Sequence, residues 1–305
     1  GNTSHMITVA EYKRPKFEIT FDPLKQAYKL GDNLTITGIA KSYSGVNIEN
    51  GKVNYSISEN TFGWGTFQQT PILAGATQTD SKGEFQFSFN TPKTSDFTQG
   101  IQPRMFPSYR YRVTVTITSP NGETQEAEFI VNINNQNYQL TALVMPEINK
   151  DQPVEIPVIA QNANGYKLKQ KIHYTLSSLK PLQKLGDEYD YSNPPVDKEI
   201  LTGTFTTGEK ENLELKLSDY SSGVYLLTFT GDGENKEIST RQIIYLYSLQ
   251  DKRPPYLTYN WIIQEKTQCA PGENAEILLG TSAKDVYVLY EIYTNGQFVS
   301  RKRFM

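Results

Sequence analysis

Short runs in which every second residue is apolar recur along the whole chain. In "KVNYSIS" Val53, Tyr55 and Ile57 fall on one face and Asn54 and Ser56 on the other. "FQFSF" does the same with Phe85, Phe87 and Phe89, "VTVTIT" with Val113, Val115 and Ile117, and "LELKL" with Leu213, Leu215 and Leu217. A period of two is the signature of a strand with one buried face. Turn sequences separate the runs: Ser119–Glu123 ("SPNGE"), Gly231–Glu234 ("GDGE") and Thr294–Gln297 ("TNGQ"). Asn-Gly favours tight hairpins because their central residues need positive φ. No stretch has the period of an amphipathic helix, and the 20 tyrosines and 14 phenylalanines suit sheet. The expected fold class is all-β, as tandem immunoglobulin- or fibronectin-like antiparallel β-sandwiches.

The pattern repeats at about 120 residues, the length of a seven-stranded sandwich. "LGDNLTITGIAKSYSG" is answered by "NKDQPVEIPVIAQNANG", which pairs Asp32 with Asp151 and Gly45 with Gly165. Tyr55 pairs with Tyr174, Gly83 with Gly203 and Tyr111 with Tyr225. A third copy starts near Gly272 in "APGENAEILLG", with Ala270, Pro271 and Gly272 forming its opening turn. Linkers at Asn132–Asn137 and Asp251–Tyr256 divide the copies; Pro254 and Pro255 stiffen the second. The expected division is 7–135, 136–250 and a partial, truncated unit at 251–305. Residues 1–6 ("GNTSHM") read as an expression remnant and are set aside.

Catalytic sets are hard to assemble from these residues. There are two histidines: His5 lies in the remnant, and His173 falls on the outward side of an alternating strand. No nucleophile elbow, metal-binding Cys/His pattern, P-loop or dinucleotide fingerprint is present, so the expectation is a non-enzyme without a cofactor. Thirty basic and 33 acidic residues leave a net charge of −3, which is no footprint for nucleic acid. No apolar run reaches the roughly 18–20 residues of a membrane helix.

Two hairpin insertions stand out as candidate interaction loops, expected to be the most mobile or the most partner-dependent surfaces, though plain long hairpins are the commoner case. Residues 60–77 carry Phe62, Trp64 and Phe67, a possible platform for a sugar or peptide, or aromatics packing on their own hairpin. Residues 180–198 carry Asp187, Tyr189, Asp190 and Tyr191. The acids of "GDEYDYSN" could hold calcium, but their spacing fits no EF-hand, and solvated loop carboxylates are the commoner case.

The opening stretch resembles the bacterial α2-macroglobulin family, especially the large multi-domain forms of Bacteroides-type bacteria. The likeness rests on an "EYKRP-F-E" strand (Glu11, Tyr12, Lys13, Arg14, Pro15, Phe17, Glu18) and a "Y-x-x-GD" turn (Tyr28, Gly31, Asp32). Ala40, Tyr43, Gly45, Gly51, Val53 and Tyr55 continue it, and Thr79–Phe89 matches a "TD-x-x-G-x-F" hairpin. The match covers residues 9–92 and becomes one of architecture beyond 137. The resemblance implies macroglobulin-type sandwiches acting as a scaffold in a protease trap, with proteases and neighbouring domains of the same chain as partners. It also implies a periplasmic or membrane-anchored place in the cell envelope. The family's Cys-x-Glu-Gln thioester has no counterpart, because Cys269 is followed by Ala270, Pro271 and Gly272. An adhesive or glycan-binding immunoglobulin-like array is the competing reading.

Overall fold

The computed structural model describes residues 16–63, 66–91, 108–210, 212–264, 270, 272–273 and 277–304. Residues 1–6, Glu11 to Pro15, Trp64, Cys269 and Pro271 lie outside the described residues. Two compact units emerge, residues 1–139 with 161–168, and residues 140–160 with 169–305. Among the described residues the only helical piece is a single 3₁₀ turn at Gly233–Asn235.

In the first unit the strands are β1 (Phe17–Phe21), β2 (Asn33–Ser42), β3 (Lys52–Gly63), β4 (Thr66–Gln78), β5 (Glu84–Asn90), β6 (Ser108–Thr118) and β7 (Thr124–Asn134). They form two antiparallel sheets, β1-β2-β5 and β4-β3-β6-β7. The alternation predicted for Val53/Ile57, Phe85/Phe87/Phe89 and Val113/Val115/Ile117 is observed as one buried core that draws on both sheets. Each inward face is too apolar to meet water, and the facing sheet is what covers it.

The family-like motifs have structural jobs in this unit. In the Lys29–Asp32 turn Gly31 takes φ +91°, a region closed to most residues. The Asp32 carboxylate accepts from Lys29 N at 2.9 Å, and Gly31 N donates to Thr91 Oγ1 at 2.8 Å. In the "TD-x-x-G" hairpin, Thr79 Oγ1 accepts from Gly51 N at 2.8 Å and donates to Ile48 O at 2.5 Å. Asp80 Oδ1 accepts from Lys82 N and Glu84 N, both at 2.8 Å. Tyr55 lies opposite Gly75 on β4, where a Cβ would sit 2.4 Å from the tyrosine oxygen. The missing side chain lets the ring lie flat and stack on Phe87 of the facing sheet, 3.9 Å between centroids.

The remaining strands are β8 (Gln139–Ala142), β9 (Glu147–Asn149), β10 (Val154–Gln161), β11 (Lys167–Leu168), β12 (Lys171–Leu179), β13 (Val196–Thr206), β14 (Asn212–Leu215), β15 (Gly223–Gly231), β16 (Ser239–Tyr247), β17 (Trp261–Gln264), β18 (Ile277–Gly280), β19 (Val288–Thr294) and β20 (Gln297–Phe304). β10 pairs with β14 and with β8, and β13-β12-β15-β16 is extended by β9, which runs parallel to β16. Apart from β9, and β11 which pairs with β10, this reproduces the order of the first unit. β17 pairs with β18 and β19 with β20. The third copy's opening turn also recurs: Gly272 takes φ +91°, and the Glu273 carboxylate accepts from Ala270 N at 3.0 Å.

Two repeat equivalences need correction. Asp32 matches Gln152 and not Asp151, because Asp32 N donates to Lys29 O as Gln152 N does to Asn149 O. Gly203 does not correspond to Gly83. Gly83 is a turn residue at φ +76°, whereas Gly203 lies in β13 directly opposite Tyr174. A Cβ there would come 2.3 Å from the Tyr174 oxygen, so Gly203 matches Gly75. Equal spacing misled because the two units differ in the length of chain between the paired strands.

Residues 161–168 form a hairpin tip that follows β10 yet belongs to the first unit. Asn162 is buried and makes four bonds. Its amide donates to Leu24 O at 2.6 Å and Gln26 O at 2.8 Å, and its Oδ1 accepts from Asn164 N and Tyr166 N, both at 3.0 Å. Removing it leaves buried backbone groups unpaired, at about 1–3 kcal/mol per group. Asn162→Ala should therefore lower the first unit's stability by about 2–3 kcal/mol. The counterpart Ser42→Ala should cost below about 1 kcal/mol, because its bonds are exposed. Urea unfolding of both variants tests the difference; equal costs would overturn the assignment.

Candidate interaction surface

The two candidate loops behave differently. Residues 60–77 are not a loop. β3 and β4 run on as a two-stranded ribbon, with Phe62 opposite Phe67 and Gly63 opposite Thr66. The stretch "TFQQTPILAGATQ" is rich in strand formers and carries no charge, so pairing continues to the tip. Trp64 falls outside the described residues. A bulge at Ile57/Ser58 lets Ile72 bow out of register, with Pro71 beside it.

Of residues 180–198, 180–195 are irregular but anchored, and 196–198 open β13. Both faces of β15 are apolar, and Leu179, Val224, Leu226 and Ile243 make a second buried cluster with Tyr189, backed by Leu182. The segment is thus a strap over a sheet face that would otherwise meet water. Its neck is closed by Lys180 N donating to Pro195 O at 2.8 Å. Within it "KLGD" at Lys184–Asp187 repeats the tetrapeptide at Lys29–Asp32 and folds the same way. Gly186 takes φ +94° and Asp187 Oδ2 accepts from Lys184 N at 3.2 Å.

Each candidate residue of the strap now has a definite place. Asp187 caps that turn. Asp190 Oδ1 accepts from Ser192 N at 2.8 Å. Both carboxylates are therefore engaged with backbone, and among the described residues no group of three or more His, Cys, Asp or Glu side chains gathers as a metal site would require. Tyr189 is 7% exposed and donates to Lys180 O at 3.2 Å. Burial pushes its hydroxyl above the ordinary tyrosine range, partly offset by a backbone hydrogen bond at Leu182. Tyr191 is 61% exposed.

Tyr191 joins tyrosines that sequence reading missed. It lies beside Tyr245, whose ring is 4.6 Å from that of Tyr256. Tyr259 is exposed, and its ring lies 3.2 Å from where a Cβ on Gly186 would be. Burial raises both Tyr245 and Tyr256 above the ordinary range. Tyr191 lifts Tyr245 further, while Thr258 partly lowers Tyr256. Arg241 closes one side, donating to Ser192 O at 2.8 Å. No local motif marks this group, since it draws on three separated stretches; the abundance of tyrosine was its only trace.

His173 is half-exposed, as its strand position predicts, and its Nε2 lies 2.6 Å from Asp232 Oδ1. That bond holds the Asp232 carboxyl below its usual range, helped by Lys171.

No family model and no curated protein matches the chain. Among solved structures, Escherichia coli α2-macroglobulin in its native conformation is 8% identical, over 96% of this chain and 20% of that one, with a TM-score of 0.34. Its trypsin-activated form is 10% identical over 96% and 22%, with a TM-score of 0.34. Salmonella α2-macroglobulin reacted with methylamine is 10% identical over 97% and 20%, also at 0.34. The chain thus spans about a fifth of the length of these proteins.

Tyrosines whose proton is held more tightly when folded stabilise the chain below the ordinary value of 10.0, and that stabilisation is lost as pH rises through the folded value. Spectrophotometric titration should show tyrosines ionising above pH 10 in the folded chain and at about 10 after unfolding. Tyr189→Phe should cost about 1 kcal/mol and Tyr191→Phe less than about 0.5 kcal/mol. Equal costs would contradict the strap arrangement.

Proposed function

We propose that this chain is a non-catalytic scaffold segment of a bacterial α2-macroglobulin-like endopeptidase inhibitor. The observation that carries the reading is the motif-bearing first unit. There Tyr28, Gly31, Asp32, Tyr55, Thr79, Asp80 and Gly83 match the family pattern, and the turn, the Tyr-Gly pair and the capped hairpin give several of them a structural purpose. The proposed division is 7–135, 136–250 and 251–305 as macroglobulin-type units. In this reading they hold active parts in place, and proteases meet the whole protein, not this segment. Cys269 is then an ordinary thiol. The proposed location is the periplasm or a membrane-anchored position in the cell envelope of a Bacteroides-like bacterium. No helix among the described residues is long and apolar enough to cross a membrane.

The exposed Tyr191 and Tyr259 favour a second reading, a glycan- or peptide-binding surface on an immunoglobulin-like array. It predicts a ligand whose binding is lost in Tyr191→Ala/Tyr259→Ala.

Protease assays separate the readings. The full reading frame, mixed with an endopeptidase, should block cleavage of a large protein substrate while sparing a small chromogenic one. The 305-residue chain alone should change neither and should gain no mass with methylamine. Inhibition or a methylamine adduct with the chain alone would overturn the scaffold assignment, as would failure of the full protein to protect the large substrate.

A further inference from the structure

The chain holds four Asn-Gly pairs, Asn50-Gly51, Asn121-Gly122, Asn164-Gly165 and Asn295-Gly296, and each sits at a turn. In such a pair the asparagine side chain is open to attack by its own backbone, because glycine puts no Cβ beside the attacking nitrogen. The glycine N bonds to the asparagine Cγ, and its proton leaves with the side-chain nitrogen as ammonia. Water then opens the resulting succinimide at either carbonyl, giving aspartate or isoaspartate. No oxidant, metal or second protein takes part. The rate depends on whether the glycine N–H is free to turn toward Cγ.

Three of the four pairs are tied down. Gly51 is buried, and its N donates to Thr79 Oγ1 at 2.8 Å. Gly165 N donates to Asn162 O at 3.0 Å, and both ends of the Asn164 amide are held by the Asn132 backbone. Gly122 N donates to Ser119 O at 2.9 Å. Gly296 N, by contrast, donates to nothing among the described residues. Asn295 and Gly296 form the two-residue loop between β19 and β20, at φ +51° and +77°, the positive values that a type I′ turn requires. The hairpin around them is lightly held. β19 and β20 pair only with each other, and no described side chain of either is buried. A lone two-stranded hairpin is marginal in water, so this loop opens at little cost.

We propose that Asn295 is a site of spontaneous self-modification, deamidated through the Gly296 nitrogen, while Asn50, Asn121 and Asn164 are protected by the bonds their glycines make. The product carries a negative charge where the turn had none. In the isoaspartyl form it also has an extra methylene in the main chain, inside a loop whose length sets the Thr294–Gln297 register.

Peptide mass spectrometry of the wild-type chain, aged at mildly alkaline pH and digested at intervals, reads the four sites separately. Dividing each rate by that of the same site in urea removes the effect of neighbouring residues. In the folded chain Asn50 and Asn164 should slow by about 10-fold or more, the factor set by breaking one buried hydrogen bond. Asn295 should slow least, and Asn121 should trail it. An isoaspartate-specific methyltransferase should label the Asn295 peptide first. Isoelectric focusing of the intact chain should show an acidic species accumulating, and Asn295→Gly should delay it. Gly-Gly suits the same turn, so that variant keeps the hairpin. Modification at Asn50, Asn121 or Asn164 before Asn295 would overturn the proposal, as would an Asn295 slowed as much as Asn50. An acidic species that forms as fast in Asn295→Gly would do the same.

Discussion

The Lys29–Asp32 turn ties the two sheets of the first sandwich together. Leu30 N donates to Asn134 O at the end of β7, and Gly31 N and Asp32 O bond Thr91 just beyond β5. One tight turn thus meets the last strand of each sheet. The second unit achieves the same closure with other atoms. Lys150 N donates to Tyr247 O, Ser248 Oγ donates to Asp151 Oδ2 at 2.5 Å, and Lys150 Nζ reaches Tyr220 O. What is shared is the requirement that the chain cross between sheets with its backbone groups satisfied. The side chains that meet it vary.

This explains why family-like motifs concentrate where they do. Gly31, Asp32, Thr79, Asp80 and Gly83 are turn and crossing residues, where backbone geometry restricts the choice of side chain. Strand residues between them need only be apolar on one side, and any of several will serve. The two copies of "KLGD" fold alike because the same turn geometry restricts both.

The strap at 180–198 shows the other side of this economy. Its aspartates look like a ligand cluster in the sequence, but Asp187 and Asp190 cap its own backbone and Tyr189 fills the groove over β15. What stays in contact with water is the rim: Tyr191, Tyr259 and the edges of Tyr245 and Tyr256.

Strand identity, the face each strand buries, the hairpin turns and the repeat were legible from the residues alone. Each depends on interactions within a few positions, and a period of two reports them directly. The turns at Gly31 and Gly272 and the outward place of His173 belong to the same class. Tertiary structure decided what covers each face. The apolar run of β15 says that Val224 and Leu226 are not bathed in water, yet it cannot say that Tyr189 and Leu182 lie over them. Nor does it pair Gly203 with Gly75, because that match is made across strands and not along the chain. The tyrosine group at Tyr191, Tyr245, Tyr256 and Tyr259 exists only once three distant segments meet. Contacts that close long loops leave no mark in local periodicity, since any apolar or aromatic side chain of suitable size can make them.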